Sequence, residues 1–224
     1  MSDETSNLFI EEKCVVLDQR KEIHLNDEGG AGISLSIISG GNTLYSLPVS
    51  YPSAGYGGGS LYLSPSGSYL LFSYYSGQSE EAFSLYRIAD DKLEIAFESP
   101  YEYGEAASYG FSEDESLLIQ GLPVCCTLWD WKDYMEQGFA EEDEKGDVFF
   151  TFGYINILEI KKKELSSHLI RVYPSEDARD FDREVYDPLM SPKMISSDVL
   201  RISMPWGDEI LGFPLKDTVC FNLV

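Results

Sequence analysis

Apolar and polar residues alternate most clearly within residues 60–99, where apolar side chains occupy every second position in short runs. A period of two is typical of a half-buried β-strand. Four such runs are separated by short polar turns, at residues 61–63, 69–75, 83–88 and 93–97. The pattern predicts four strands joined as one antiparallel meander.

The turn between the first two of these strands, residues 64–67, reads Ser-Pro-Ser-Gly. Pro65 presets φ for a turn and Gly67 accepts a positive φ near its end. The same order recurs at 112–115 (Ser-Glu-Asp-Glu) ahead of the apolar run 117–119, an offset of 112 − 64 = 48. Strand candidates at 154–160 and 168–172 close this second copy, and a third partial copy is predicted to begin at 191–194 and continue through 199–203. Further strands are predicted at 14–17, 33–38, 43–47, 209–213 and 219–221.

The second copy contains an insertion at about residues 127–147. Leu128, Trp131, Met135 and Phe139 lie three, four and four residues apart, which predicts a short amphipathic helix followed by an acidic loop. We therefore expect residues 1–224 to form a single all-β repeat domain that carries this insertion.

Residues 63–73 and 85–88 resemble the blade repeat of WD40-like and TolB-like β-propellers, in which a Ser-Pro-Asp-Gly turn joins two strands. At ~45 residues per blade the chain has room for five blades at most, and the insertion reduces that number toward four. The sequence departs from the family because Trp129-Asp130 lies in the insertion and no Gly-His pair is present. The resemblance implies antiparallel four-stranded meander repeats in a small or incomplete β-propeller-like fold. A β-sandwich is the alternative, because alternation alone does not choose between them.

Acidic residues outnumber basic ones by 39 to 16, for a net charge of −23. Such a field repels nucleic-acid phosphates and anionic lipid, so neither is an expected partner. It would attract a basic protein, although acidity also serves solubility alone. Since no secretory signal and no run of ~18 apolar residues is seen, the predicted location is cytoplasmic. The four cysteines show no CxxC spacing and are expected to be buried thiols.

Motifs for catalysis or metal binding are absent from the sequence. His24 and His168 are the two histidines, both interpreted as surface or edge-strand residues, and no Gly-x-Ser-x-Gly is present. The glycines at 55–59 lack a following Lys-Ser/Thr and favour a flexible loop. No zinc or calcium spacing occurs. The sequence therefore predicts no catalytic residue, no metal ligand and no cofactor.

Aromatic residues in polar segments are the remaining candidates for function. Exposed Tyr and Trp give a binding surface large area at low entropy cost, although such rings also pack in cores. The predicted partner-binding residues are Tyr56, Tyr101, Tyr103, Trp129, Trp131 and Tyr134. The leading hypothesis is a non-enzymatic protein–protein interaction module, an acidic scaffold that neutralises a basic protein in the manner of an immunity protein, and homo-oligomers are possible. The alternative is a propeller-type hydrolase, lyase or small-ligand binder with a carboxylate-lined central pocket.

Overall fold

The chain is all-β, and its strands form antiparallel meanders of the kind found in propeller blades. The computed structural model describes residues 13–27, 33–49, 59–77, 80–100, 102–103, 107–123, 135–136, 140–142, 148–150, 152–173, 191–204 and 207–222. Two compact units are distinguished: unit 1 holds residues 1–78 and 82–101, and unit 2 holds residues 79–81 and 102–224. Within the described residues, no helix is both long and apolar enough to cross a membrane.

The first sheet of unit 1 is a four-stranded antiparallel meander. Its strands, in spatial order, are β1 (Cys14–Val16), β2 (Lys21–Asp27), β3 (Ile33–Ser39) and β4 (Asn42–Val49). Three of them were expected from the sequence. The strand β2 was not, because its charged residues hide a period of two in which Ile23 and Leu25 are buried and Glu22 and His24 face outward.

The second sheet confirms the meander predicted at residues 60–99. Strands β5 (Gly59–Leu63), β6 (Tyr69–Gly77), β7 (Glu80–Ala89) and β8 (Lys92–Glu98) pair in order, and the short β9 (Glu102–Tyr103) pairs with the start of β7. Asp90 and Asp91 both adopt positive φ, as a two-residue hairpin turn requires.

One hydrophobic core serves both sheets of unit 1. The inward positions of the first sheet, among them Ile23, Leu35 and Ile37, cluster with Leu61 and Phe72 of the second. Each is at most 2% exposed. Burying side chains of this size stabilises the fold by roughly 1.5–3 kcal/mol each. The outward face of the first sheet is thereby held in a fixed position.

Unit 2 contains the second copy of the repeat as a five-stranded sheet. It pairs β10 (Ser108–Phe111), β11 (Leu117–Pro123), β14 (Phe152–Glu159) and β15 (Glu164–Tyr173), and adds β19 (Thr218–Asn222) parallel to β15. The strands β11, β14 and β15 were predicted, whereas β10 was not. A separate two-stranded pair, β12 (Ala140–Glu142) and β13 (Val148–Phe150), flanks a segment that lies outside the described residues. The predicted charged loop therefore begins in a strand. Residues 135 and 136 are helical, and the rest of the predicted helix lies outside the described residues.

The third copy differs from its prediction. Residues 191–194, at which the third copy was predicted to begin, lie in β16 (Ser191–Ser196). This strand pairs with β17 (Val199–Met204), which in turn pairs with β18 (Gly207–Gly212). The last predicted strand exists, but it joins the five-stranded sheet. The strand β16 passes close to β10, where Gly110 leaves room for it: a Cβ on Gly110 would lie 2.4 Å from the carbonyl oxygen of Pro192. The prediction of a single domain over residues 1–224 stays a prediction.

Candidate functional site

A cleft of about 460 Å³ lies on the outward side of the first sheet of unit 1. Its walls are the β1–β2 turn, Glu22, Ile38 and the glycines of the β3–β4 turn. Gly40 and Gly41 both have positive φ, and a Cβ on either would meet no atom within 4 Å. A glycine pair suits a two-residue hairpin, and at this edge of the cleft it places no side chains. The cleft is of the size that small ligands use.

The β1–β2 turn is held by one carboxylate. Asp18 Oδ1 accepts the backbone N–H of Arg20 at 2.7 Å and that of Lys21 at 3.0 Å. This is an Asx-type turn, in which the side chain replaces a backbone acceptor. It fixes the register of the two strands and places Arg20 on the cleft wall.

Three side chains meet on the outward face beside the cleft. Cys14 and His24 are directly opposite across β1 and β2, and Glu22 precedes His24 by two residues on the same face. His24 Nε2 lies 2.8 Å from Glu22 Oε2 and 3.4 Å from Cys14 Sγ. The side chains of His24 and Glu22 are 33% and 50% exposed, so the group can be reached from solvent. We call Cys14, Glu22 and His24 the thiol–imidazole–carboxylate cluster.

The positive charges near the cleft have different partners. Lys21 Nζ lies 2.5 Å from Asp91 Oδ1, and the hydrogen bond to that carboxylate raises the pKa of the Lys21 ammonium despite a smaller opposing effect of desolvation. The positive charge of Lys21 is thus paired with Asp91, another residue of unit 1. Arg20, on the cleft wall, is the guanidinium placed to meet a negatively charged group in the cleft.

A second polar group lies inside unit 2. Asn156 Nδ2 donates to Gln120 Oε1 at 2.8 Å, and Gln120 Nε2 donates to Tyr109 Oη at 3.1 Å. Tyr109 Oη in turn donates to Glu81 Oε1 at 3.0 Å, and the N–H of Ala107 donates to Oε2 at 2.9 Å. Tyr109, Gln120 and Asn156 are direct neighbours across β10, β11 and β14. Because Glu81, Gln120 and Asn156 are at most 4% exposed, this ladder stabilises the sheet and is closed to a substrate.

The predicted partner-binding residues fall mostly outside the described part of the chain. Tyr56, Tyr101, Trp129, Trp131 and Tyr134 lie there, so their role stays a prediction. The loop position expected for Tyr103 is wrong, because Tyr103 lies in β9 and pairs with Glu80. Tyr109 also lies in a β-strand, β10, and its hydroxyl donates a hydrogen bond to Glu81.

Two expectations about cysteine and histidine are also corrected. Cys14 is an exposed thiol and not a buried one. A Cys–His pair was not expected, yet the hairpin brings Cys14 and His24 together. The signal was present in the sequence as the alternation of β2. Once residues 21–27 are taken as a strand paired with residues 14–16 through a turn at 18–20, positions 14 and 24 become opposite.

Neither known protein families nor curated proteins match this sequence. Solved structures do match over most of the chain. An uncharacterized protein from Listeria monocytogenes matches at a TM-score of 0.41 and 8% identity, over 94% of this chain and 57% of its own. The periplasmic gluconolactonase PpgL of Pseudomonas aeruginosa matches at 0.32 and 12%, over 86% of this chain and 63% of its own.

A proposed 6-phosphogluconolactonase of Bacteroides fragilis matches at a TM-score of 0.26 and 12% identity, over 90% of this chain and 69% of its own. This chain therefore spans less than two thirds of the first two structures. Both neighbours with a stated activity are described as lactonases, which contradicts the hypothesis of a non-enzymatic interaction module.

Proposed function

We propose that the chain is a hydrolase of small esters or lactones and that the cleft beside the thiol–imidazole–carboxylate cluster is its active site. The observation that carries this proposal is Glu22, which lines the cleft and whose carboxylate Oε2 lies 2.8 Å from His24 Nε2. A positioned carboxylate beside bound substrate can take the proton of an attacking water.

The roles within the cleft follow from its charges. Glu22 is the general base, and His24 is a positioning residue that orients the carboxylate through its ring N–H. Asp18 has a structural role instead, because its Oδ1 accepts two backbone N–H groups of the turn. Arg20 would meet the negative charge that develops on the carbonyl oxygen during attack, as a fixed cation does in such sites.

The test is hydrolysis of glucono-δ-lactone and of an aryl acetate by the full chain, followed by proton release and by absorbance. We expect Glu22→Gln to lower kcat by about 10²–10⁴-fold, the usual contribution of a general base. The control is Glu94→Gln in β8. Its side chain is 54% exposed, against 50% for Glu22, but it pairs with Arg87 away from the cleft.

Two results would overturn the proposal. One is the absence of hydrolysis of either substrate above the buffer rate. The other is a rate that Glu22→Gln and Glu94→Gln lower equally.

Two further variants test the assigned roles. Arg20→Ala should raise KM and lower kcat together. His24→Gln should change the pH profile of kcat, because it changes the donor that holds Glu22.

We also propose that the meanders belong to the WD40-like or TolB-like class of repeat. The support is the shared turn of residues 64–69 and 112–117, in which a buried serine makes the same hydrogen bonds twice. An experimental structure in which the sheets surround one axis as successive blades would support this class. Face-to-face packing as a β-sandwich would overturn it.

A further inference from the structure

We propose that the thiol–imidazole–carboxylate cluster on the β1–β2 hairpin binds a zinc ion. The ligands are Cys14 Sγ, His24 Nε2 and one carboxylate oxygen of Glu22, and these three atoms all lie within 4.8 Å of one another. Thiolate, imidazole and carboxylate are the three ligand types that proteins use for Zn²⁺.

The distances fit one ion placed between the three atoms. A tetrahedral Zn²⁺ with Zn–S of about 2.3 Å and Zn–N of about 2.0 Å puts its sulfur and nitrogen ligands about 3.5 Å apart. The Sγ–Nε2 separation of Cys14 and His24 is 3.4 Å. Glu22 Oε2, now 2.8 Å from Nε2, would retreat by about half an ångström, which an exposed side chain with free rotamers can do.

The hydrogen-bonding pattern also favours an ion over a catalytic relay. A nucleophile–base–carboxylate relay places its two partners on different nitrogens of the imidazole. Here Cys14 Sγ and Glu22 Oε2 both face Nε2 of His24. That nitrogen carries at most one proton, so it cannot serve both partners well. A cation between them satisfies all three groups at once.

The hairpin builds the site with little freedom. Cys14 and His24 are cross-strand partners, and their strands are locked by the Asp18 turn and by the buried residues Val15 and Ile23 on the opposite face. Three protein ligands leave one tetrahedral position open. Because Glu22 also lines the cleft, the zinc site borders it.

The test is titration of Zn²⁺ into the chelator-treated full chain by calorimetry, with Co²⁺ absorption as a second readout. We expect one site, with a thiolate-to-cobalt charge-transfer band that disappears in Cys14→Ser. His24→Ala and Cys14→Ser should each weaken Zn²⁺ binding by more than about 100-fold. Loss of a residue that only hydrogen-bonds to a metal ligand already costs about 10–100-fold in metal affinity, and loss of the ligand itself should cost more. Affinity should rise with pH, because binding displaces the thiol proton.

The chain supplies matched controls. His168 is the other histidine, on β15 in unit 2, and its Nδ1 contacts the carbonyl oxygen of Lys216 at 2.9 Å. His168→Ala should bind zinc as the wild type does, and so should a variant with Cys125, Cys126 and Cys220 changed to serine. Circular dichroism of the metal-free variants checks folding, which substitutions on an exposed face should leave intact. The His24→Ala titration also measures weak binding by the acidic surface.

Three results would overturn the zinc site: the absence of a one-to-one isotherm, an isotherm that His24→Ala leaves unchanged, or a loss caused by His168→Ala. The zinc site and the hydrolase proposal share Glu22 and His24, so zinc is titrated without substrate and hydrolysis is measured on the chelator-treated chain, and each proposal can fail by itself. A chain that binds zinc and hydrolyses nothing supports the site and overturns the proposed function. A chain that hydrolyses through Glu22 and binds no zinc does the reverse.

Discussion

The turns at residues 64–69 and 112–117 are the same structure built from different residues in the two units. The Ser64 N–H donates to the Tyr69 carbonyl oxygen at 2.9 Å, and the Ser64 hydroxyl accepts the Tyr69 N–H at 3.1 Å. Ser112 and Leu117 form the same backbone bond, and the Ser112 hydroxyl accepts the Leu117 N–H at 3.0 Å. The buried serine is thus the constant element of the repeat.

The residues between the two serines and their partners differ. Position four of the turn has positive φ in both copies, yet it is Gly67 in one and Glu115 in the other. Position three is Ser66 in the first copy and Asp114 in the second. The comparison teaches that the hydrogen bonds of the serine hold the turn even where the residue at positive φ is not glycine.

Removal of the serine hydroxyls should have the largest effect. Ser64→Ala and Ser112→Ala each leave a backbone N–H without its acceptor in a partly buried position, which costs about 1–3 kcal/mol. Urea unfolding measures the loss, with Ser197→Ala in an exposed turn as control. If Ser112→Ala left the midpoint unchanged while Ser64→Ala lowered it, the two turns would not be equivalent.

Exchange of the residue at positive φ should have smaller effects of opposite sign. Gly67→Ala forces a side chain into the left-handed region at φ 74° and should destabilise unit 1 by about 1 kcal/mol. Glu115→Gly relieves the same strain at φ 53° and should stabilise unit 2 by up to about 1 kcal/mol. Thermal unfolding of both variants gives the signs. If both variants changed the thermal stability in the same direction, the two turns would not be equivalent.

The smallest of the expected effects is a dependence of stability on acidic pH, which only the second turn should show. Hydrogen bonds from the hydroxyls of Ser112 and Ser116, together with the Ser116 N–H, lower the pKa of Asp114 from 3.8 to about 2. The pKa in the folded state is therefore below that of the unfolded chain. The stabilisation is present above about pH 4 and is lost as the pH falls toward about 2.

The measurement is the difference in urea midpoint between wild type and Asp114→Asn from pH 6 to pH 2. We expect a constant difference down to about pH 4 and then a decline. Ser66→Ala is the corresponding change in the uncharged turn. Its difference in urea midpoint from the wild type should not decline between pH 4 and pH 2. A parallel decline in both would show that the titrating group is elsewhere.

Local patterns predicted much of the fold but not the site. The alternation of residues 69–75 and 83–88 led directly to β6 and β7, and the offset of 48 identified the second turn. The strand β2 escaped prediction because Lys21 and Glu22 interrupt the apolar alternation before Ile23. With β2 unrecognised, Cys14 and His24 had no reason to meet, and the cluster could not be found.

What the sequence determined by itself is the class of secondary structure, the positions of the serine turns and the acidic character of the chain, because each depends on near neighbours or on composition alone. Tertiary structure decided which polar groups converge. Cys14 meets His24 only through the register of a hairpin, and Glu81 meets Tyr109 only after strands far apart in sequence have paired. Strand pairing is decided by the burial of whole faces in a shared core, and no short pattern records it.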